Sequence, residues 1–372
     1  MKAVIFDGPR KVSIQDRPVP RGKPTLPYVQ RHLSSPWLMK HKSMMTAISS
    51  SKYKLPLFVA RKFGIASSYP AGCTFFIHEL RRHCSELHVY RGHQPSDTGF
   101  IMGHEFTGIV VEAGARVKTL KVGDKVVSPF TTCWFVRPDK LFGSAVLDGG
   151  QAEYTRIPMA DSTAIQAPKS ISDKALVLMA DIFPTGYFGV KSAVELRPKV
   201  DISQSTFVVI GCGPVGICAI ISALHLNPKQ VFAVDNVDGR LQTAKKLGAV
   251  PLNFDDGVDK MKEQVRNATG GRGADFVIEV VGLSPALKTA FDLVRPFGAM
   301  SSIGVHNAEI PWSGADGYAC PVRSIFPEAL ALLEKKQKDV EFMFDNIMPL
   351  SEAVGGYDMF DQMKVHKIVF VP

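Results

Sequence analysis

One short segment constrains the fold more than any other: an apolar run that leads directly into closely spaced glycines. Residues 207–210 are Phe-Val-Val-Ile, followed by Gly-x-Gly-x-x-Gly over 211–216 and an apolar stretch over 217–224. The glycines permit a tight turn, close approach of a phosphate to the backbone, and packing of a helix on a strand. The start of that helix also offers N–H groups to an anion. The predicted binding residues are Gly211, Gly213, Pro214, Val215 and Gly216.

The next apolar run, 231–234, ends in Asp235, nineteen residues after Gly216. An acidic residue at about this distance accepts hydrogen bonds from ribose hydroxyls and repels a 2′-phosphate. The combination predicts a dinucleotide site and favours NAD over NADP. The alternative is a tight strand–helix turn in an α/β domain that binds no ligand.

Strand and helix patterns alternate around this segment, which indicates a parallel sheet. Strands are predicted at 206–210, 230–235, 274–280 and near 298–304, and helices at 214–226, 238–247 and 284–294. Other predicted strands lie at 2–6, 12–14, within 106–127 and 149–168, and at 367–371, with helices near 172–194 and at 325–336. The length of 372 residues indicates about two domains.

Residues 21–83 differ from the rest of the chain. They hold eleven of the 44 Lys and Arg residues and one of the 35 Asp and Glu residues, a net +10, which leaves 33 basic and 34 acidic residues, a net −1, elsewhere. The segment shows neither a helical nor a strand period, and it is predicted to lack regular structure. Because the basic charge is confined to it and no basic face with stacking aromatics is visible, we expect no nucleic-acid partner.

Cysteine spacing and apolar runs indicate the compartment. The six cysteines show no Cys-x-x-Cys spacing, which favours a reducing compartment, and we expect a cytoplasmic protein. No apolar run reaches about 18 residues, and the N-terminus reads as a strand, so we expect neither a membrane span nor a signal peptide.

A second group of polar residues has the chemistry of a metal site. His104 and Glu105 follow Gly103, a stretch with His and Cys lies upstream at 83–88, and Asp181 lies downstream. On its own a His-Glu pair is more typical of a polar surface. Together, a thiolate or imidazole, a histidine and a carboxylate could hold a catalytic zinc ion with one open position. Such an ion polarises an alcohol oxygen.

Several motifs occur in the order found in zinc-dependent medium-chain alcohol dehydrogenases: Ser-Glu-Leu-His over 85–88, Gly-His-Glu over 103–105, Val-Gly-Asp-Lys-Val over 122–126, Gly-Gly-Gln-Ala-Glu-Tyr over 149–154, and the segment 211–216. The chain resembles this family over 1–20 and about 85–372, with details closest to the glutathione-independent formaldehyde dehydrogenase-like branch. The resemblance implies an α/β fold: a GroES-like β-rich catalytic domain (1–185), a Rossmann domain with a doubly wound parallel sheet (186–310), and a C-terminal segment (311–372) that returns to the first domain.

The resemblance also implies the chemistry and the residues that perform it. Hydride would pass between a small alcohol or aldehyde and NAD at one catalytic Zn²⁺. His104 and Asp181 would be zinc ligands, and Glu105 would lie beside the metal and exchange onto it. Ser85 would pass the substrate proton toward His88. The residues expected against the nicotinamide are Ile303, Gly304 and Val305. A homo-oligomer is compatible with the resemblance.

The chain departs from the family pattern at the metal sites. Where the family has its first zinc ligand, a cysteine, this chain has His83, and Cys84 occupies the following glycine position. His83, Cys84 through a one-residue shift, or neither could be the ligand. Only Cys133 stands where the family has four cysteines, so we expect no structural zinc. The stretch 317–323 reads as shortened.

These departures leave two alternatives to an active zinc enzyme. One is a catalytically impaired NAD-binding isoform, or the product of misassigned exon boundaries, that lacks a complete zinc site. The other is a zinc-independent reductase of the quinone type, against which the retention of His104, Glu105 and Asp181 argues.

Overall fold

The computed structural model describes residues 1–20, 74–77, 89–92, 95–132, 141–305, 322–344, 346–362, 365 and 367–371. Some predicted residues lie outside these ranges: His83, Cys84, Ser85, His88 and Cys133. The stretch 317–323 is described only for the backbone of its last two residues.

Helices and strands alternate along most of the described chain. The strands are β1 (Lys2–Gly8), β2 (Lys11–Asp16), β3 (Thr74–Ile77), β4 (Phe106–Ile109), β5 (Lys125–Ser128), β6 (Ile165–Gln166), β7 (Thr206–Ile210), β8 (Gln230–Asp235), β9 (Val250–Asn253), β10 (Ala274–Glu279), β11 (Val294–Ser302), β12 (Ile347–Pro349) and β13 (Val369–Val371). The α-helices are α1 (Ala160–Thr163), α2 (Asp173–Val177), α3 (Ile182–Glu195), α4 (Pro214–His225), α5 (Asp238–Leu247), α6 (Val258–Ala268), α7 (Ser284–Leu293), α8 (Val322–Lys336) and α9 (Ala353–Asp361).

Six parallel strands form the central sheet, in the order β9-β8-β7-β10-β11-β3. Every residue of β7 and β10 is buried, because helices cover both faces of such a sheet, and this explains the apolar runs 207–210 and 276–278. The chain leaves β7 toward β8 on one side, and β10 lies on the other. In a sheet of this order, ligands bind outside the carboxyl ends of the strands where the order reverses, and the glycine turn after β7 lies there.

The edge strand β3 corrects one prediction. Its backbone pairs in parallel with residues 299–302 of β11, so the expectation that 21–83 lacks regular structure is wrong for residues 74–77. The N–H and C=O groups of an open sheet edge can pair with any extended backbone, whatever its side-chain pattern. Sequence periodicity therefore gave no signal of this strand.

Two smaller antiparallel sheets, β1-β2 and β4-β5-β6, lie outside the central sheet. The Val4 N–H of β1 donates to the Gln151 carbonyl at 2.9 Å, which ties the first hairpin to the 149–151 loop. The C-terminal residues return to the same part of the chain. The Tyr357 hydroxyl donates to Gln151 Oε1 at 3.0 Å, and the Tyr90 hydroxyl donates to Asp358 Oδ1 at 2.9 Å.

Two of the elements that were not predicted contain residues that interrupt an apolar pattern, since β9 contains Pro251 and α9 contains Gly355 and Gly356. α6 has its apolar residues, 258, 261, 265 and 268, at helical spacing and was overlooked. The stretch 149–168 is less strand-rich than expected, since it holds α1 and the two-residue β6. No helix in the described ranges has the length and apolarity that a bilayer crossing requires.

Candidate active site

The turn after β7 has the geometry that its glycines predict. Gly211 has φ +97°, a conformation that glycine adopts without strain. A Cβ on Gly216 would overlap the Gly211 carbonyl oxygen, so α4 packs directly on the turn. A Cβ on Gly213, by contrast, would meet no described atom within 4 Å. The space in front of Gly213 is where a phosphate can approach the backbone.

The first turn of α4 faces this space. Gly213 is its N-cap residue and supplies no side-chain cap, and Pro214 occupies the first helical position. Proline lacks an N–H group, and its fixed φ suits a helix start. The N–H groups that follow are therefore not capped by a side chain of Gly213, as an anion-binding helix start requires.

Asp235 lies at the carboxyl end of β8, beside the same turn. Its Oδ2 accepts from the Cys212 N–H at 2.7 Å, and its Oδ1 accepts from the N–H groups of Asn236 and Val237, each at 2.9 Å. Arg240 Nη1 lies 3.6 Å from Oδ2. The carboxylate thus fixes the glycine turn to the end of β8, and its predicted bond to a ribose stays a prediction.

The 103–105 loop is held by the 149–151 loop. The N–H groups of Gly149, Gly150 and Gln151 donate to the carbonyls of residues 101, 103 and 102 at 2.8–2.9 Å. Gly103 has φ +98°, and a Cβ there would lie 2.6 Å from Gln151 Cγ. The Gly-His-Glu and Gly-Gly-Gln motifs therefore pack against each other, and the backbone hydrogen bonds between them set the direction of His104.

His104 and Asp181 face each other, although 77 residues separate them. His104 is 4% exposed, and its Nε2 lies 3.1 Å from Asp181 Oδ2. The other carboxylate oxygen, Oδ1, accepts from the Thr185 hydroxyl at 2.6 Å. Asp181 is the residue before α3, and its backbone carbonyl accepts from the Thr185 N–H at 2.9 Å. The first turn of α3 thus orients the carboxylate toward the imidazole.

Glu105 forms an ion pair with Lys367, just before the last strand. The two side chains are 17% and 11% exposed. The pair uses Glu105 Oε2, and no hydrogen-bond partner of the buried Oε1 is found among the described residues. Burial of a charged oxygen without a partner is costly, so Oε1 is an acceptor available to a cation.

Helix α3 connects the two halves of the site. A Cβ on Gly186 would lie 2.7 Å from the Ala219 nitrogen of α4, and a Cβ on Gly189 would lie 2.8 Å from Ile303 Cδ1. Asp181 stands at the start of the same helix. One element therefore contacts the helix of the glycine turn and Ile303 while it orients Asp181 toward His104.

The side chains of His104, Glu105 and Asp181 fit part of a zinc site whose remaining predicted ligand, His83 or Cys84, lies outside the described residues. An imidazole nitrogen and carboxylate oxygens are zinc donors, and Glu105 Oε1 is buried without a hydrogen bond in the described chain. Within those same ranges, no three His, Cys, Asp or Glu side chains converge as a complete metal site. Of the three predicted donors, His104 and Asp181 are in contact with each other, whereas Glu105 forms an ion pair with Lys367.

The two cysteines in the described ranges, Cys212 and Cys218, are free and buried. Burial raises the pKa of both thiols far above the usual cysteine range. Reactive cysteines require the thiolate form, so neither residue is a nucleophile at neutral pH.

Three residues of the site were missed from the sequence. Thr185 orients Asp181 within the first turn of α3, and Gln151 packs on Gly103. The role of Gln151 could have been inferred from the Gly-Gly-Gln motif. Lys367 lies 262 residues from Glu105, and no spacing rule connects positions so far apart.

Two family models match the chain: an alcohol dehydrogenase GroES-like domain over residues 80–169 and a zinc-binding dehydrogenase domain over 214–333. A zinc-type alcohol dehydrogenase B from Aspergillus flavus is 44% identical over 391 aligned positions, which cover 100% of this chain and 81% of that protein. The chain belongs to the zinc-dependent alcohol dehydrogenase family. It is thus a zinc-dependent oxidoreductase of the medium-chain type, with Zn²⁺ and NAD(P) as the family's cofactors.

Further relatives agree with this assignment. A medium chain reductase/dehydrogenase from an Acremonium species is 45% identical, with 86% of this chain and 98% of that protein covered. An alcohol dehydrogenase structure from a Thermus species has a TM-score of 0.75 at 28% identity, with 100% and 99% covered. These matches confirm the predicted α/β fold of GroES-like and Rossmann parts. The formaldehyde dehydrogenase-like branch is matched more distantly, at 27% identity over 77% of this chain.

Proposed function

We propose that this chain transfers hydride between a small alcohol or aldehyde and NAD at one catalytic zinc site. The observation that carries the proposal is the contact of the buried His104 with Asp181, at the start of the helix that also packs on the glycine turn. The matched family supports a zinc-dependent oxidoreductase and does not favour the impaired isoform.

We assign the zinc to His104 and Asp181, with a further donor from His83 or Cys84. Zinc, when bound there, polarises the alcohol oxygen. Thr185 holds Asp181 in the orientation that a ligand needs, through its hydroxyl and its N–H group. Lys367 forms an ion pair with Glu105 Oε2. The other oxygen, Oε1, has no hydrogen-bond partner among the described residues, so it is available to a cation.

For proton movement we propose the hydroxyl of Ser85 and the imidazole of His88. A hydroxyl beside the reacting oxygen and an imidazole toward solvent make a relay that moves the alcohol proton outward. Both residues lie outside the described ranges.

We propose NAD as the physiological cofactor, because Asp235 at the end of β8 would repel a 2′-phosphate. The Gly211–Gly216 turn would hold the pyrophosphate, and residues 303–305 would line the nicotinamide. We further propose the domain division 1–185, 186–310 and 311–372, a cytoplasmic location in keeping with unpaired cysteines, and assembly as a homo-oligomer.

The test is zinc content and turnover on the purified chain. We expect about one zinc per chain and NADH formation from a panel of small primary and secondary alcohols. A parallel panel with NADP tests the cofactor preference, and we expect NAD to be used more efficiently. Less than about a tenth of a zinc equivalent together with no turnover on any alcohol would overturn the proposal.

A further inference from the structure

Glu279, the last residue of β10, is a fully buried carboxylate that lies between two loops. Its exposed fraction is 0%. Oε1 accepts from the N–H groups of Val281 and Gly282, each at 2.7 Å, and Oε2 accepts from the Ser302 hydroxyl at 2.5 Å. The side chain therefore bonds both the loop that follows β10 and the end of β11.

The backbone of Glu279 joins the same segments. Its carbonyl accepts from the Ile303 N–H at 2.9 Å. The loop after β10 and the residues after β11 are in close contact, since a Cβ on Gly282 would overlap the Val305 carbonyl and a Cβ on Gly304 would overlap the Gly282 nitrogen. Gly282 has φ +75°, so this contact depends on a turn that few residues other than glycine adopt.

The loop after β10, residues 280–282, also contacts the glycine turn after β7. The Val280 N–H donates to the Ile210 carbonyl at 2.9 Å, and a Cβ on Gly211 would lie 2.8 Å from Val281 Cγ2. Segments 280–282 and 302–305 thus bond to Glu279, and segment 210–211 contacts the first of them. They meet at the carboxyl ends of β7, β10 and β11.

A buried carboxylate is costly to desolvate unless hydrogen bonds compensate it. Here the bonds go to backbone N–H groups and a hydroxyl of different loops, so their geometry fixes those loops against each other. The glycine turn, which would hold the pyrophosphate, has a second attachment that does not involve Glu279, because Asp235 accepts a hydrogen bond from the Cys212 N–H.

We propose that Glu279 is a positioning residue that holds residues 303–305 in place for the nicotinamide ring of NAD(H), and not for the ADP-ribose part. The inference rests on the proposed cofactor site. It predicts that loss of the carboxylate weakens binding of the whole dinucleotide but not of a ligand that lacks the nicotinamide.

The experiment compares dissociation constants for NADH and ADP-ribose in the full-length protein, by fluorescence titration and calorimetry. Glu279→Ala leaves two backbone N–H groups without their acceptor, and NADH binding is expected to weaken at least about tenfold. ADP-ribose binding is expected to change by less than about twofold. Glu279→Gln can keep Oε1 as the acceptor of both N–H groups, so NADH binding should return to within about threefold of the unchanged protein.

Ser302→Ala and Asp275→Asn complete the set. Ser302→Ala removes the hydroxyl that donates to Oε2 and should weaken NADH binding about threefold with no effect on ADP-ribose. Asp275 is 3% exposed at the opposite end of β10, where it accepts from the Thr206 N–H at 2.9 Å and from Arg295 Nε at 2.6 Å. Asp275→Asn should lower stability without changing the ratio of the two dissociation constants.

If Glu279 had a purely structural role, its loss would weaken binding of NADH and of ADP-ribose by the same factor. Equal weakening of the two ligands in Glu279→Gln or in Ser302→Ala overturns the inference, and this test holds even if Glu279→Ala fails to fold. NADH binding that is unchanged in a folded Glu279→Ala also overturns it. If the unchanged protein binds ADP-ribose and NADH equally poorly, the proposed cofactor itself is wrong, and the inference falls with it.

Discussion

Gly213 is the residue at which one added methyl group separates cofactor binding from folding. No described atom lies within 4 Å of a Cβ there, so the fold tolerates alanine, but a pyrophosphate approaching the backbone would meet the methyl group. We expect Gly213→Ala to weaken NADH binding about tenfold with unchanged thermal unfolding. Fluorescence titration and circular dichroism measure the two effects. Gly355→Ala, also in open space but on α9, is the control and should leave NADH binding unchanged.

Asp181 tests the metal assignment at the same scale. Asp181→Asn keeps the shape of the side chain and removes the charge beside His104. We expect zinc content after dialysis to fall at least about tenfold, since removal of a ligand is at least as damaging as loss of its supporting contacts. NADH binding should persist. Asp173→Asn, which removes a mostly exposed carboxylate paired with Lys125, is the control. Full zinc content in Asp181→Asn would contradict the assignment.

At the scale of elements, α3 packs closely on α4 at Gly186. Alanine would favour the helix by about 1 kcal/mol. Its Cβ, however, would lie 2.7 Å from the Ala219 nitrogen and 2.8 Å from the Val215 carbonyl oxygen, and backbone atoms cannot rotate away. We expect Gly186→Ala to lower the free energy of unfolding by about 1–3 kcal/mol, measured in urea. The same Gly355→Ala control should be neutral or slightly stabilising, and a stabilised Gly186→Ala would disprove the close packing.

The end of α9 carries a pH-dependent contact. Hydrogen bonds from Arg91, and then from Arg10, hold the pKa of Asp361 below its usual range. The native carboxylate binds its proton less tightly than the unfolded one, so this contact stabilises the fold above about pH 4 and is lost as pH falls further. Asp361→Asn should therefore flatten the loss of stability between about pH 5 and pH 3. Urea unfolding at several pH values checks this, and parallel curves for variant and parent would refute it.

The elements that could be predicted from sequence are those whose burial pattern is uniform. β7, β8 and β10 are buried throughout or nearly so and carry apolar runs, and glycines mark the turn after β7. α6 could have been predicted as well, because its apolar residues, 258, 261, 265 and 268, have helical spacing. β3 was missed because its pairing depends on the free edge of β11, a property of the folded sheet.

The site shows the same division. His104 and Asp181 could be named from motifs, since a resemblance carries residue types at fixed positions. The Glu105–Lys367 pair and the bonds of Glu279 could not, because they depend on how distant segments meet. The sequence predicts that Asp235 binds a ribose. In the structure its carboxylate accepts hydrogen bonds from three backbone N–H groups, which no motif indicates.

For the whole molecule, the two ligands are held by different residues, so they should be separable. We expect chelation of zinc to abolish turnover while saturating NADH still stabilises the fold, by about 2.7 kcal/mol at a hundred times its dissociation constant. Thermal unfolding with and without NADH, before and after chelation, measures this. Restored zinc should restore turnover. Loss of the NADH effect on chelation would show that the cofactor half depends on the metal.

Helix α3 also limits how such an enzyme can acquire new substrates. It fixes the distance between Asp181 and the Ile303 region, because Gly189, which packs on Ile303, lies in the same helix that begins directly after Asp181. Inserting one helical turn would add about 5.4 Å, whereas reacting atoms must lie about 3–3.5 Å apart. Evolution or design can therefore change the substrate range by reshaping the loops that flank this helix, but not by lengthening the helix between Asp181 and Gly189.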